Sequence, residues 1–303
     1  MHTIKFKNLL SNYDFESILS HMKAKERIKP YLYITPAVVL ALTFTGIPFL
    51  RAFIDSFLKI NPSGSISGFA GLSNYKQLFS DSGFLNAVKR TLLFASLFVP
   101  LNTLLTVLAA ALTRRKNRYS FIPEYIFFMP MAFSLSAATL LFKQMFRGQV
   151  SIVNRTLNLD IGWLSEAMPA MLVLVFLGIF LDFGIDYIIL LSAFRSVDKS
   201  IIEAAKLDGA TGSRLFFSIE LPMAKNMVIV TIFLALKDAL LIVAPVTILT
   251  EGGPFRSTET VMFYYYIEAF KSGNMAIGNT ITVITVGISI LIMALAMKKR
   301  RSA

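Results

Sequence analysis

The chain has 303 residues, of which 55% are hydrophobic and 27 are phenylalanine, and its mean hydropathy is +0.64. A soluble domain of this length cannot bury so much apolar surface, so the composition indicates an integral membrane protein. The sequence holds no cysteine and two histidines, His2 and His21. These counts exclude disulfides and thiolate metal sites, and they leave little room for histidine-based catalysis or metal binding.

Residues 1–30 form a charged tail in which apolar side chains alternate with charged ones. This pattern resembles that of an amphipathic surface helix, and anchoring at the anionic inner leaflet is its simplest interpretation. No small-residue cleavage site follows the tail, so we expect the first apolar segment to be a retained anchor.

Six later stretches are long and apolar enough to span a membrane. They cover residues 31–58, 87–112, 121–146, 168–194, 226–249 and 278–297. The apolar runs are continuous and do not alternate with period two, which favours helices over a barrel. The sequence therefore predicts an all-α polytopic protein, with a six-helix domain over residues 31–298 and a short C-terminus over 299–303.

The distribution of Lys and Arg predicts the orientation of these spans. Basic residues concentrate in the tail, in the second and fourth connections and at the C-terminus, while the other connections hold few and also carry acidic residues. We therefore expect both termini to be cytoplasmic. The net charge of +12 comes largely from these flanks, which argues for contact with lipid and against nucleic-acid binding.

Charged residues inside the predicted spans mark a candidate pathway. Asp182 and Asp186 lie one turn apart in the fourth span, and Lys237 and Asp238 lie at similar depth in the fifth. An ion pair between Asp182 and Lys237 would relieve the cost of burying either charge. Structural pairing and contact with a polar substrate both remain open for these residues. Asn102 in the second span is a weaker candidate, since a polar bond between helices explains it as well.

A polar loop interrupts the apolar sequence between the fourth and fifth spans, at residues 198–222. Asp198 can cap a helix, Gly209 can end it, and a second short helix from Ser213 would reach Pro222, where the chain re-enters the membrane. We expect the apolar side of the first helix to pack under the bundle. That side is formed by Ile201, Ile202, Ala205 and Leu207. A partner's groove could receive this helix pair, although an ordinary interfacial loop helix is an equally open interpretation.

The chain has no G-x-x-x-x-G-K-[ST] loop and no G-x-S-x-G turn, so we assign it no catalytic residue and no phosphate cradle. Any energy from ATP must come from another chain.

The spacing of the polar loop resembles a family motif: Glu-Ala-Ala, three residues, Gly, nine residues, then Ile-x-Leu-Pro. The matching positions are Glu203, Ala204, Ala205, Gly209, Ile219, Leu221 and Pro222. This is similar to the EAA loop of permease subunits in binding-protein-dependent ABC importers. The sequences GLSNY at 71–75 and TEGGP at 250–254 resemble the carbohydrate-uptake branch, of the maltose and sn-glycerol-3-phosphate type.

The resemblance implies a mechanism and a set of partners. The EAA loop would dock into an ATP-binding cassette subunit, with Glu203 as the charged contact, Ala204 and Ala205 as the close-packing surface and Gly209 as the turn. Two such cassettes would use ATP and Mg, while this chain would bind no cofactor. A second permease, expected to be a different chain in a heterodimer, and an extracytoplasmic solute-binding protein would complete the importer in the bacterial inner membrane.

Three alternatives remain at this point. A membrane scaffold that only recruits a cytosolic partner would keep the polar loop but would not need Asp182 or Lys237 near the midplane. The solute could belong to another class, such as an amino acid or an anion. A secondary transporter would also explain six spans with charges near the midplane, although it would leave the polar loop without a purpose.

Overall fold

A computed structural model describes residues 24–116, 118–148 and 151–301. The predicted tail lies outside the described residues as far as residue 23. Over the described part, five helices are long and apolar enough to cross a membrane, or six if one bent pair counts as a single span. The prediction of an all-α polytopic protein is confirmed.

The helices follow one another with short connections. Their bounds are α1 Ala24–Ala41, α2 Ile47–Asp55, α3 Ser73–Ser80, α4 Ser82–Thr113, α5 Phe121–Phe128, α6 Leu135–Phe146, α7 Ile152–Leu157, α8 Ala167–Arg195, α9 Lys199–Leu207, α10 Gly212–Leu215, α11 Leu221–Leu241, α12 Ala244–Leu249, α13 Val261–Tyr266 and α14 Met275–Arg301. Three π-helical turns join consecutive helices, at Leu42–Gly46, Phe216–Glu220 and Ile267–Lys271, and a 3₁₀ turn covers Met129–Ala132.

The chain divides into two compact units, and the boundary falls between Ile54 and Asp55. The first unit holds α1 and nearly all of α2, joined by the π-helical turn. The second unit holds every later element. The predicted first span ran to residue 58, but α2 ends at Asp55 and Leu58–Ile60 is a β-strand.

A small antiparallel hairpin opens the second unit, with β1 Leu58–Ile60 paired to β2 Ile66–Phe69. The GLSNY sequence fixes this hairpin to α3. The buried Asn74 amide donates to the carbonyl oxygens of Ser56 at 2.8 Å and Leu58 at 2.9 Å. The Tyr75 hydroxyl lies 2.8 Å from the Ser56 hydroxyl. Asn74 thus satisfies two backbone carbonyls where a helix gives way to a strand, and Tyr75 adds a side-chain hydrogen bond there.

The core of the second unit forms where α8 packs against α4 and α11. Aromatic rings from α4 meet small and branched residues of α8 there, and Phe94 and Phe98 stack with their ring centroids 5.2 Å apart. Gly178 makes this contact possible, because a Cβ at that position would lie 3.1 Å from the Phe98 ring. A close approach of this kind is typical of helix packing in membranes.

The predicted third span, residues 121–146, is not one straight helix. Two helical pieces, Phe121–Ala132 and Leu135–Phe146, meet at an angle of 97°. Pro130 lies in the 3₁₀ turn that ends the first piece, and the Ser134 hydroxyl caps the second by accepting from the Ala137 N–H at 3.2 Å. Hydropathy averaged over a window cannot detect such a break, whereas the proline and the serine cap produce it.

Candidate functional site

The polar loop begins with α9, whose N-terminus is capped as predicted from Asp198. The carboxylate accepts a hydrogen bond from the Ser200 backbone N–H at 2.9 Å, and this bond holds the pKa of Asp198 below its usual range. Glu203 and Ala204 are exposed on this helix. Ala205 is buried and supports the helix from beneath, so it is less accessible to a partner than its two neighbours.

Gly209 ends α9 in a Schellman motif. Its φ is +82°, its N–H donates to the Lys206 carbonyl at 3.0 Å, and the Ala210 N–H donates to the Ala205 carbonyl at 2.9 Å. These are the two hydrogen bonds of that motif, with glycine at the left-handed position that it favours. No heavy atom of the described residues lies within 4 Å of a Cβ built on Gly209, so they leave the space beside the turn open.

The apolar side of α9 does not pack under the bundle as a whole, which corrects the prediction. Ala205 is buried and Ile202 is half-buried, but Leu207 is 90% exposed and Ile201 is 40% exposed. Leu207 is exposed because α9 ends at this residue and the chain turns away at Gly209. Sequence reasoning assigned Leu207 to the core because a hydrophobic pattern does not distinguish a buried apolar face from one that awaits a partner.

The second arm of the polar loop also differs from the prediction of a separate short helix over 213–222. Residues Gly212–Leu241 form one helical rod of 30 residues that includes α10, a π-helical turn and α11. Pro222 does not break the rod. The π-helical turn just before it makes wider i→i+5 bonds, which leave room for the proline ring. Ile219 and Leu221 lie half-buried at this junction.

Two ion pairs form a network that we call the charged clamp: the first joins the rod to the end of α4, and the second joins the end of α8 to α5. Arg114 Nε lies 2.6 Å from Glu220 Oε2, and Arg195 Nη2 lies 2.6 Å from Glu124 Oε1. Arg195 Nη2 also donates to the Thr113 carbonyl at 2.8 Å. The Glu220 side chain is only 4% exposed. These arginines belong to the basic connections that predicted the orientation of the spans. The sequence did not predict which acidic residues they contact.

The charges within the spans pair differently from the prediction. Lys237 Nζ lies 2.6 Å from Asp238 Oδ1, and no ion pair with Asp182 forms among the described residues. Asp186 is 2% exposed and accepts a hydrogen bond from the Asn102 amide at 2.7 Å. Asn102 therefore bridges α4 to α8 and takes a structural part. The rotation of α11 about its axis decides the partner of Lys237, and residue spacing alone does not give that rotation.

Asp182 and Asp238 instead line a common cavity of about 200 Å³ between α8 and α11. The cavity, which we call the carboxylate cavity, also has aromatic and aliphatic walls. Its lining residues are Phe94, Phe98, Leu135, Gly178, Leu181, Asp182, Asp238, Leu241, Ile242, Val243, Ala244 and Pro245. Apolar walls with a few converging polar groups are typical of sites for small molecules.

A break in the fifth predicted span forms one wall of this cavity. That span was predicted as 226–249, but α11 ends at Leu241, Ile242 and Val243 are not helical, and α12 begins at Ala244 with Pro245 in its first turn. The Thr260 hydroxyl donates to the Ile242 carbonyl at 2.9 Å and so satisfies one backbone group that the break frees. Irregular backbone within a span is tolerated where it lines a cavity or is buried in protein. In the sequence, Pro245 is the residue that indicates this break.

Comparison with known proteins identifies the family. Residues 104–302 match the family described as binding-protein-dependent transport system inner membrane component. The lactose transport system permease protein LacF of Rhizobium radiobacter is 31% identical, over 83% of this chain and 87% of that protein. The sn-glycerol-3-phosphate transport system permease protein UgpA of Agrobacterium fabrum is 28% identical, over 88% and 93%.

Solved structures show the same fold. A chain of a bacterial ABC transporter involved in the import of the acidic polysaccharide alginate superposes with a TM-score of 0.80 at 19% identity, covering 91% of this chain and 98% of that one. A chain from the alginate ABC transporter in complex with an alginate pentasaccharide-bound periplasmic protein gives 0.78 at 18% identity, over 90% and 95%. The chain belongs to the family of inner membrane components of binding-protein-dependent transport systems.

Proposed function

We propose that this chain forms half of the translocation pathway of an ATP-driven carbohydrate importer and that the polar loop couples it to the ATPase. As a family member the chain is a non-catalytic, multi-pass membrane subunit, and ATP is used by a separate subunit. We infer that it binds no cofactor itself. One observation carries the proposal: the exposed, capped helix of the polar loop leads through a continuous rod to the carboxylate cavity.

The polar loop has the features of a docking element. Glu203, Ala204 and Leu207 are exposed on one short helix, and Gly209 gives a tight turn with open space beside it. An apolar side chain that is 90% exposed beside small residues suits insertion into a groove on a partner. We infer that this groove belongs to an ATP-binding cassette subunit and that Leu207 is its apolar anchor. Ala205, Ile219, Leu221 and Pro222 would support the element from within the chain.

The rod supplies the mechanical connection. At a rise of about 1.5 Å per residue, a 30-residue helix is about 45 Å long, which is enough to cross the bilayer. Its far end carries Asp238 and Leu241 on the cavity wall. Because a helix is stiff along its axis, a displacement of the polar loop is carried to the cavity, and the charged clamp carries it to α4 and α8 as well. Closure of the ATPase subunits would thus alternate the access of the cavity.

The basic flanks support an orientation with both termini and the polar loop in the cytoplasm of a bacterial cell, and with the hairpin on the outer side. We infer that the full importer contains a second, different permease, two ATPase subunits and an external solute-binding protein. Carbohydrate is the solute class that the relatives' names favour, since the named relatives include a lactose permease. Their solutes include both neutral and acidic ones, so these names leave the charge of the solute open.

Uptake into proteoliposomes that contain the reconstituted importer tests this function. Internal ATP together with the solute-binding protein should drive accumulation of a sugar, and a proton or sodium gradient without ATP should not. Accumulation driven by an ion gradient alone would contradict the proposal and favour a secondary transporter.

A further inference from the structure

The carboxylate cavity bears on the charge of the solute. We propose that this cavity accepts neutral or amine-bearing carbohydrates and rejects those with carboxylate, phosphate or sulfate groups. This inference rests on the proposed function, because it assumes that the cavity lies on the pathway of a carbohydrate.

The region of the cavity carries more carboxyl groups than cationic groups. Asp182 comes from α8 and Asp238 from α11, and none of the described residues that line the cavity is a lysine or an arginine. Lys237 is adjacent in sequence, but its ammonium is held by Asp238 Oδ1 at 2.6 Å. Asp186, one turn from Asp182, is bound by the neutral Asn102 amide and adds a third carboxyl group to the region. The region thus holds three carboxyl groups, those of Asp182, Asp186 and Asp238, and one ammonium group, that of Lys237.

This arrangement discriminates by charge. Like charges repel, so a uronate or a phosphate group in the cavity meets an unfavourable field from the Asp182 and Asp238 carboxylates. Repulsion of the wrong solute is an efficient route to specificity. An ammonium group on an amino sugar would meet the same field as an attraction.

The remaining chemistry of the walls suits a sugar. Carboxylate oxygens accept hydrogen bonds from hydroxyl groups, and bonds to an ionised acceptor are stronger than neutral ones. Asp238 Oδ2 makes no hydrogen bond to any described residue, so it is available for this purpose. Leu135 of α6 lines the cavity and is 42% exposed, so it offers an apolar surface for the C–H face of a sugar ring. One wall therefore holds the hydroxyls and the other holds the ring.

The test uses the reconstituted importer in proteoliposomes with internal ATP and its own binding protein. The probes are hydrolysates of galactan, cellulose and chitosan, which are neutral or aminated, and of polygalacturonate and alginate, which are acidic. All are supplied together, and the accumulated sugars are identified by mass spectrometry. Galactan and polygalacturonate are compared directly, because both are built from galacto-configured sugars that carry a hydroxymethyl group at C6 in the first and a carboxylate in the second, although their linkage configuration differs too. We expect neutral or aminated oligosaccharides inside the vesicles and no uronates. Accumulation of uronates overturns the inference but leaves the proposed function intact.

Because the binding protein also selects sugars, two variants isolate the cavity. Asp182→Asn and Asp238→Asn remove the charges without changing side-chain size, and the doubly substituted chain should accumulate the preferred sugar at least about tenfold more slowly, as expected for losing hydrogen bonds to charged acceptors. ATP hydrolysis stimulated by the binding protein reports that the complex is still assembled. The control is Asp160→Asn, since Asp160 is exposed outside the spans.

Each outcome of the variant experiment decides the matter. Slow uptake by the double variant with stimulated ATP hydrolysis retained supports the inference, whereas uptake at the unsubstituted rate overturns it. If the double variant fails to assemble, the two single variants are measured instead. Unchanged uptake by both single variants would also overturn the inference. Failure of the unsubstituted importer to accumulate any sugar with ATP would overturn the proposed function, and the inference with it.

Discussion

Polar side chains bond to one another inside the bundle, and the hydrogen bond from the Asn102 amide to Asp186 is the example with the most deeply buried carboxylate. The Asp186 carboxylate is almost fully buried, and the Asn102 amide is the group that donates to it. A buried charge without its donor retains the full cost of its removal from water.

Substitution of Asn102→Leu should therefore lower the stability of the chain by about 2 kcal/mol, or the apparent melting temperature by about 5 °C. The double variant Asn102→Leu with Asp186→Leu removes both partners and should recover most of the loss. Thermal unfolding of the assembled importer in detergent measures both values. A double variant less stable than the single one would show that the pair is not a self-contained unit.

Substitution of Gly209 should act through the backbone, because the φ of +82° restricts the residue at this position and neighbouring atoms do not. Gly209→Ala should cost about 1 kcal/mol of backbone strain and weaken association with the ATPase subunit about fivefold. Gly209→Asn is the matched control, since asparagine adopts this conformation more readily. Titration of the ATPase subunit against the purified permease measures both affinities. Equal weakening by Ala and Asn would show that side-chain bulk matters and that φ does not.

At this scale the sequence predicts candidate residues, but it does not predict their contacts. Motif spacing singled out Glu203 and Gly209, and the buried charges were visible as interruptions of apolar runs. The sequence did not predict that Lys237 pairs with Asp238 and not with Asp182, because the rotation of α11 decides whether Lys237 faces α8. The exposure of Leu207 was missed because apolar periodicity is the same for a buried face and for a docking face.

Among the elements, the charged clamp joins the rod to the end of α4 and the end of α8 to α5. Arg114 pairs with Glu220 and also lies over the Phe216 ring at 5.2 Å, so it holds the rod by charge and by packing. Removal of one partner from a buried pair leaves the other charge uncompensated.

Charge reversal at one position, Arg114→Glu or Glu220→Arg, should reduce the stability of the importer by about 3 kcal/mol. It should also lower the amount of sugar moved per ATP hydrolysed. The exchanged double variant should regain part of both, although not the contact with Phe216. Parallel assays of uptake and ATP hydrolysis measure the ratio. If the exchanged variant behaves like the sum of the single variants, the two residues do not act as a pair.

The break between α11 and α12 is the second structural feature at the level of the elements. Thr260→Val removes the donor to the Ile242 carbonyl while keeping the side-chain shape, which should cost about 1 kcal/mol and slow uptake about fivefold. Thr260→Ser keeps the hydroxyl and should retain uptake near the unsubstituted rate. Initial uptake rates at saturating binding protein distinguish the two, and equal losses would mean that the methyl group is what matters.

Both broken helices explain why element boundaries were predicted less well than element types. Residues 121–146 and 226–249 are each apolar on average, so a hydropathy window gives a single span for each. Pro130, Ser134 and Pro245 carry the information about the breaks, but prolines also occur within unbroken helices here, as Pro100 does in α4. The tertiary contacts of each proline decide whether its helix breaks.

For the whole molecule, the polar loop and the carboxylate cavity lie at two ends of one helical rod. The family and the all-α fold followed from hydropathy and from the motif in the loop. The cavity did not, because α4, α8, α11 and α12 all contribute to it and their arrangement is not encoded in any local pattern. Transport by this mechanism requires that a displacement of the polar loop reach the carboxylate cavity.

The most direct test of this account is co-purification of the ATPase subunit with the detergent-solubilised permease carrying Leu207→Asp. The matched control is Leu157→Asp, which changes an apolar residue that is 61% exposed on α7, far from the loop in sequence. We predict that Leu207→Asp reduces recovery of the ATPase subunit at least about tenfold, as expected for an anchor side chain in an interface. The second permease should be recovered in full, and the control should retain both. Undiminished recovery of the ATPase subunit with Leu207→Asp would contradict the account.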